Sequence, residues 1–137
     1  MYVHNNWCNN GIIIDHHCSP DLEFMSVKCC PFLLPRELTV VIVTAVYIPP
    51  QANVNTPLSL LLDPINHQQQ AHPGGVHIVA GDFNKAKLKS VLPKFYQHVK
   101  CPTRGKNTLD HVYSNIKHAY RAIPLPHLAC QIISPCY

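Results

Sequence analysis

Two apolar runs dominate the pattern of the chain. Leu38 to Ile48 is dense in β-branched residues and predicts a strand. Pro49-Pro50 closes it, since neither proline can donate to a ladder. Val76-His77-Ile78-Val79-Ala80 predicts a second strand, buried on both faces, which ends in Gly81-Asp82-Phe83-Asn84. Upstream, Ile12-Ile13-Ile14 follows Gly11 and reads as a strand closing at Asp15, with a turn over Cys18 to Asp21 around Pro20. Leu22 to Cys30 alternates, with Leu22, Phe24, Ser26 and Lys28 opposed by Glu23, Met25 and Val27, as in a strand. Pro31 to Pro35 interrupts that pattern.

Helical spacing occurs twice. Thr56 suits an N-cap and Pro57 the first helical position. Leu58, Leu61, Leu62 and Ile65 then follow the i, i+3, i+4, i+7 stripe of a helix packed on a core. Pro64 lies inside the stripe; a mid-helix proline costs ~3 kcal/mol, which predicts a kink or early stop and a polar loop over His67 to Gly75. Leu88, Val91, Leu92 and Phe95 form a second, shorter helical stripe, cut at Pro93. Thr103 to Asn107 reads as a basic loop around Gly105, and Thr108 to Tyr113 as a strand. Residues 1–11 and 124–137 carry no clear period. Strands alternating with helical stripes give an α/β class.

The 137 residues suffice for one domain, and 47% hydrophobic against 13% charged residues excludes global disorder. Charge is unevenly placed. After Asn84 stand nine Lys or Arg and one acid, Asp110; before Lys85 stand two and six. A basic second half is the footprint of a polyanion, most simply nucleic acid, although any single lysine also suits a solvated face. The seven cysteines are odd in number and contain no Cys-x-x-Cys, and Met1 to Asn10 is too polar for a signal peptide. Free thiols in a reducing, intracellular setting are expected. No apolar run is long enough to span a bilayer, so no membrane association is expected. His16-His17-Cys18 and Cys29-Cys30 lack the spacers of a structural zinc site.

Candidate chemistry gathers at strand ends. If the chain stays extended past Gly81, Asp82 and Asn84 face one reacting group, the carboxylate accepting a proton and the amide donating a hydrogen bond. The plainer alternative is that Asp82 or Asn84 caps the following segment. Asp110 is unusual in a strand: it either orients a histidine or faces water at an edge.

Taken together, Tyr47-Ile48-Pro49-Pro50, Asp82-Phe83-Asn84 and the run Thr103-Arg104-Gly105-Lys106-Asn107-Thr108-Leu109-Asp110-His111-Val112-Tyr113-Ser114-Asn115 resemble the endonuclease/exonuclease/phosphatase superfamily. They look most like the endonuclease domains of non-LTR (LINE-type) retrotransposons. The resemblance covers most of residues 5–128 and is strongest over 38–128, leaving a divergent tail at 129–137. It implies a partial two-sheet, DNase I-like α/β sandwich: a single incomplete domain over 1–137, its C-terminal portion, with the N-terminal strands missing. It also implies Mg²⁺-dependent cleavage of DNA phosphodiesters. In that family the aspartate at Asp82 orients or deprotonates water, the residues at Asn84 and Tyr47 contact the phosphate, and the aspartate at Asp110 pairs with a late histidine. Lys85, Lys89, Arg104 and Lys106 would supply salt-sensitive affinity for DNA. A nuclear setting follows from the family's role alone.

The chain also departs from the pattern. The family's late Ser-Asp-His motif should follow Pro126-His127-Leu128, but the chain reads Ala129-Cys130-Gln131-Ile132-Ile133-Ser134. His127 precedes the expected place of the motif. Glu23 and Glu37 come into question for the metal-binding glutamate, and neither stands in the expected local context. Hydrolysis is therefore expected to be impaired or absent, the alternative being a catalytically dead nucleic-acid-binding remnant.

Overall fold

A computed structural model of the chain describes residues 4–8, 10–34, 36, 38–118, 121–123 and 131–133. Glu37, His127 and the place of the expected Ser-Asp-His motif, apart from residues 131–133, lie outside the described residues.

The strands are β1 (Ile12–Ser19), β2 (Leu22–Cys29), β3 (Val41–Tyr47), β4 (Val76–Asp82), β5 (Tyr96–Gln97), β6 (Asp110–Ser114), β7 (Arg121–Ile123) and β8 (Gln131–Ile133), with one helix, α1 (Asn55–Ala71). Six strands form a sheet in the order β1-β2-β3-β4-β6-β5, and β7 pairs with β8 in a separate two-stranded sheet. β3 and β4 are parallel, and their neighbouring pairs β2–β3 and β4–β6 are antiparallel. A parallel pair needs a crossover, which α1 supplies.

The strand alternation read from Leu22 onward places two cores on opposite faces. On the α1 side, Leu22, Phe24, Val46 and Val79 meet Leu58, Leu61 and Ile65, and the cluster continues through Phe83, Leu88, Leu92, Phe95 and Tyr113. Val27, Cys29, Val41 and Val76 form a smaller cluster with Cys8, against which Met25, Val43 and Ile78 are half-buried. The outer strand β1 leaves Ile12 60% and Ile13 59% exposed, an apolar edge of the kind that favours pairing with other chains.

Several elements differ from expectation. β1 runs past Asp15 to Ser19, because His16, His17 and Cys18 pair with Met25, Phe24 and Glu23. α1 starts at Asn55 rather than after Thr56, with Val54 at the N-cap and no side-chain cap. The Asn53 side chain instead accepts the Asn55 N–H at 2.9 Å. Pro57 still falls in the first turn, where the missing N–H has no intrahelical partner to lose. α1 also continues through Pro64 to Ala71, so the loop shrinks to residues 72–75. The reason is packing beyond the proline. Ile65 is 1% exposed, and the buried Gln68 donates from Nε2 to Ser26 Oγ at 2.9 Å, which in turn pairs with Thr44 Oγ1 at 2.8 Å. The stripe from Leu88 to Phe95 makes only a 3₁₀ turn at Leu88–Ser90, then the short strand β5. Its buried side chains are delivered by successive turns that satisfy the same spacing. Cys101 is disulfide-bonded, whereas Cys8, Cys18, Cys29 and Cys30 are free, so the expectation of free thiols fails at Cys101. Pairing depends on proximity in the fold, on which sequence spacing is silent.

β4 carries the critical contact. Gly81 has φ +151°, and a Cβ built on it would lie 1.8 Å from the Val46 carbonyl oxygen. Val46 and Gly81 are sheet partners, so a side chain here would force β3 and β4 apart. Gly81→Ala should therefore lower stability by about 3 kcal/mol or more, measured by urea unfolding; a midpoint within error of the parent contradicts this.

Candidate active site

The sheet register draws the candidate residues together. Glu23 pairs with Tyr47, Tyr47 with Asp82, and Asp82 with Asp110, one row across β2, β3, β4 and β6. Side-by-side residues in a sheet share a face. Tyr47 is 43% exposed at the last position of β3, beside the buried Ile48. Ile48 donates its N–H to the Asp82 carbonyl oxygen at 2.9 Å, which fixes the end of β3 against the end of β4. Glu23, set aside in the sequence for want of local context, is an exposed member of this row. The alternation of β2 turned it away from Leu22 and Phe24, but its neighbour Tyr47 follows only from the register.

Asp82 and Asn84 do not project together from an extended chain. Asn84 has φ +50°, a left-handed conformation that asparagine tolerates better than most residues. The turn lets Asp82 Oδ1 accept the Asn84 N–H at 3.1 Å, so Asp82 serves the local capping role as well. Asn84 Nδ2 donates to the Ile48 carbonyl oxygen, tying the segment before Pro49 to the rim. The second oxygen of Asp82, Oδ2, accepts from Arg104 Nη2 at 3.2 Å. Arg104 is expected from the sequence to bind nucleic acid; its guanidinium lies on the carboxylate. The pair offsets the repulsion between Asp82 and Asp110, which are directly opposite. With the Arg104 side chain 62% exposed, the pair adds little stability. Lys85, Lys89 and Lys106 are exposed.

Beneath the rim lies a buried polar chain. Phe83, fully buried, donates its N–H to the Leu109 carbonyl oxygen at 2.9 Å. Its ring stacks on His111 at 5.4 Å and meets Tyr113 edge-on at 5.3 Å. The Leu88 N–H donates to Tyr113 Oη at 3.2 Å. His111 Nε2 lies 2.9 Å from the Thr108 carbonyl oxygen, which can only accept, so Nε2 carries the proton. Nδ1 then accepts from the Tyr113 hydroxyl at 2.8 Å. Thr103 Oγ1 accepts the N–H groups of Leu109 and Asp110 at 3.0 and 3.1 Å, which holds Asp110 at the start of β6. Asp110 is half-buried beside Asp82, at a position of β6 that β5 does not cover, and His111 is oriented by Thr108 and Tyr113.

Among the described residues, no group of three or more His, Cys, Asp or Glu side chains converges to hold a metal ion. Both oxygens of Asp82 are already engaged. The described residues therefore do not fit a Mg²⁺ site, which relies on well-placed oxygen ligands.

Burial pushes the Tyr113 hydroxyl up to about 12, against a smaller opposing effect of the Leu88 N–H, so it remains a proton donor. Burial also pushes His111 below the ordinary value of 6.5, partly opposed by its bond to Thr108 and by Asp110. His77 is lowered by burial as well, opposed by its bond to His72, and its buried Nδ1 has no hydrogen-bond partner among the described residues. Folding therefore favours the neutral form of both rings, while the unfolded chain takes up protons near the ordinary value of 6.5. Their contribution is thus complete above about pH 6.5 and is lost as pH falls through the lower folded-state values. The urea midpoint should drop between about pH 7 and pH 5; a midpoint that is flat or rises over that range contradicts the assignment.

No protein-family model matches the chain, and no curated protein matches it. A solved structure, the human Nocturnin catalytic domain with bound sulfate anion, is similar with a TM-score of 0.65 at 15% identity, covering 92% of this chain and 61% of that one. No helix among the described residues is long and apolar enough to cross a membrane. The chain spans 61% of that neighbour's length and has, in part, its fold: the DNase I-like endonuclease/exonuclease/phosphatase architecture.

Proposed function

We propose that this chain engages DNA phosphodiesters at the Tyr47–Asp82–Asp110 rim, as an endonuclease-type domain of non-LTR retrotransposon origin whose hydrolysis is impaired. The observation that carries this is the register, which brings Tyr47, Asp82 and Asp110 side by side from three separate motifs. The sulfate bound to the Nocturnin domain is consistent with an anion site on this fold.

The roles follow from the groups. Asp82 is the base that would orient or deprotonate water once Arg104 moves from its carboxylate to the phosphate. Such a shift exchanges one anion for another on the same guanidinium. Tyr47 Oη would donate to a phosphoryl oxygen. Asn84, committed to Ile48, positions the Pro49 turn and keeps a second amide hydrogen for the phosphate. In the family Mg²⁺ would stabilise phosphoryl charge. The described residues do not fit such a site. A second reading, DNA binding without cleavage, is favoured by the engagement of both Asp82 oxygens.

Plasmid nicking with Mg²⁺, comparing the parent with Asp82→Ala, separates them. Slow nicking that the substitution abolishes is the expected result. Absence of nicking with salt-dependent DNA binding selects the second reading. Equal nicking by both proteins, or neither nicking nor binding, contradicts the proposal.

A further inference from the structure

The cations of the second half are not spread evenly over the surface. Lys89, Lys100, Lys117 and Arg121 border one cavity of about 840 Å³, with Tyr96 and Gln97 of β5 on its wall. A second cavity of about 390 Å³ shares Lys89 and Gln97 and reaches Thr108 and His111. Among the described residues, no carboxylate lines either cavity. All four cations are exposed, and none forms an ion pair with a described carboxylate.

The topology gives this space a direction. β5 pairs with the far end of β6, Tyr96 opposite Ser114 and Gln97 opposite Tyr113, whereas Asp110 stands at the near end beside Asp82. The two cavities share Lys89 and Gln97 and lie beside β5 and β6, the second reaching His111, the residue next to Asp110. Cations uncompensated by carboxylates attract phosphates and release counterions on binding. Tyr96, 36% exposed on the wall, offers an aromatic face. An aromatic face within a basic groove suits an unpaired base stacked beside its own backbone. A duplex keeps its bases paired and cannot use that ring.

We propose that this groove is a second binding site, which holds a single nucleic-acid strand by its phosphates and stacks one base on Tyr96. The proposal rests on the phosphodiester reading of the rim in one respect: the strand held here is the continuation of the one engaged at Asp82.

The test is fluorescence anisotropy of the full chain with a labelled oligothymidylate, from about 50 to 200 mM salt. The combined Lys100→Gln, Lys117→Gln and Arg121→Gln variant should bind at least about tenfold more weakly at low salt. Each single-strand phosphate contact contributes about 0.7 to the log–log salt slope, so the slope should fall by about 2. Tyr96→Ala should weaken binding about tenfold with the slope unchanged. The substituted residues are exposed, and circular dichroism verifies that each variant is folded.

A parent slope retained by the triple variant overturns the proposal, as does a parent that does not bind oligothymidylate. Equal losses on duplex and single strand overturn the single-strand assignment. None of the substituted residues belongs to the Tyr47–Asp82–Asp110 row, so these results are independent of the Asp82→Ala nicking comparison. A failed rim leaves the slope change in place, and a failed groove leaves the nicking result in place.

Discussion

The close approach of β3 and β4 at Val46 and Gly81 is the constraint on which the rim depends. A Cβ at Gly81 would fall 1.8 Å from the Val46 carbonyl oxygen, so only glycine lets the two strands meet there. The next pair in register is Tyr47 with Asp82. The backbone bond from Ile48 to the Asp82 carbonyl oxygen and the side-chain bond from Asn84 to Ile48 extend the same junction. β6 is then held from the other side, where Phe83 bonds to Leu109 and stacks on His111. A displacement at Gly81 would separate residues contributed by three strands.

The rim is electrostatically occupied. Two aspartates face one another across β4 and β6, and Arg104 occupies one oxygen of Asp82. A carboxylate held by an exposed guanidinium is available to a competing anion, because the pair is weakly stabilising in water. Both Asp82 oxygens are engaged in the same arrangement.

The strands at the centre of the sheet were legible because their residues are apolar and β-branched over a whole element, as in Val41–Tyr47 and Val76–Asp82. The end of α1 was not, because Gln68 reads as a loop residue until Ser26 and Thr44 are seen to receive it. The stripe at Leu88, Leu92 and Phe95 was misread as a helix: buried side chains at helical spacing also arise from consecutive tight turns. Among the candidate residues, Tyr47, Asp82 and Asn84 stand out in the sequence at strand ends and Asp110 within a strand. Their relative placement does not, since it depends on register and on the left-handed backbone of Asn84. The Arg104–Asp82 contact joins residues distant in sequence and has no local signal.

The central claim is that the register-aligned rim meets nucleic-acid phosphate. Backbone amide chemical shifts of the isotope-labelled chain, followed as a short DNA duplex is added, test it most directly. The account predicts that the amides of Tyr47, Asp82, Asn84 and Asp110 shift together and return as salt is raised. DNA binding that leaves those four amides unmoved would contradict it.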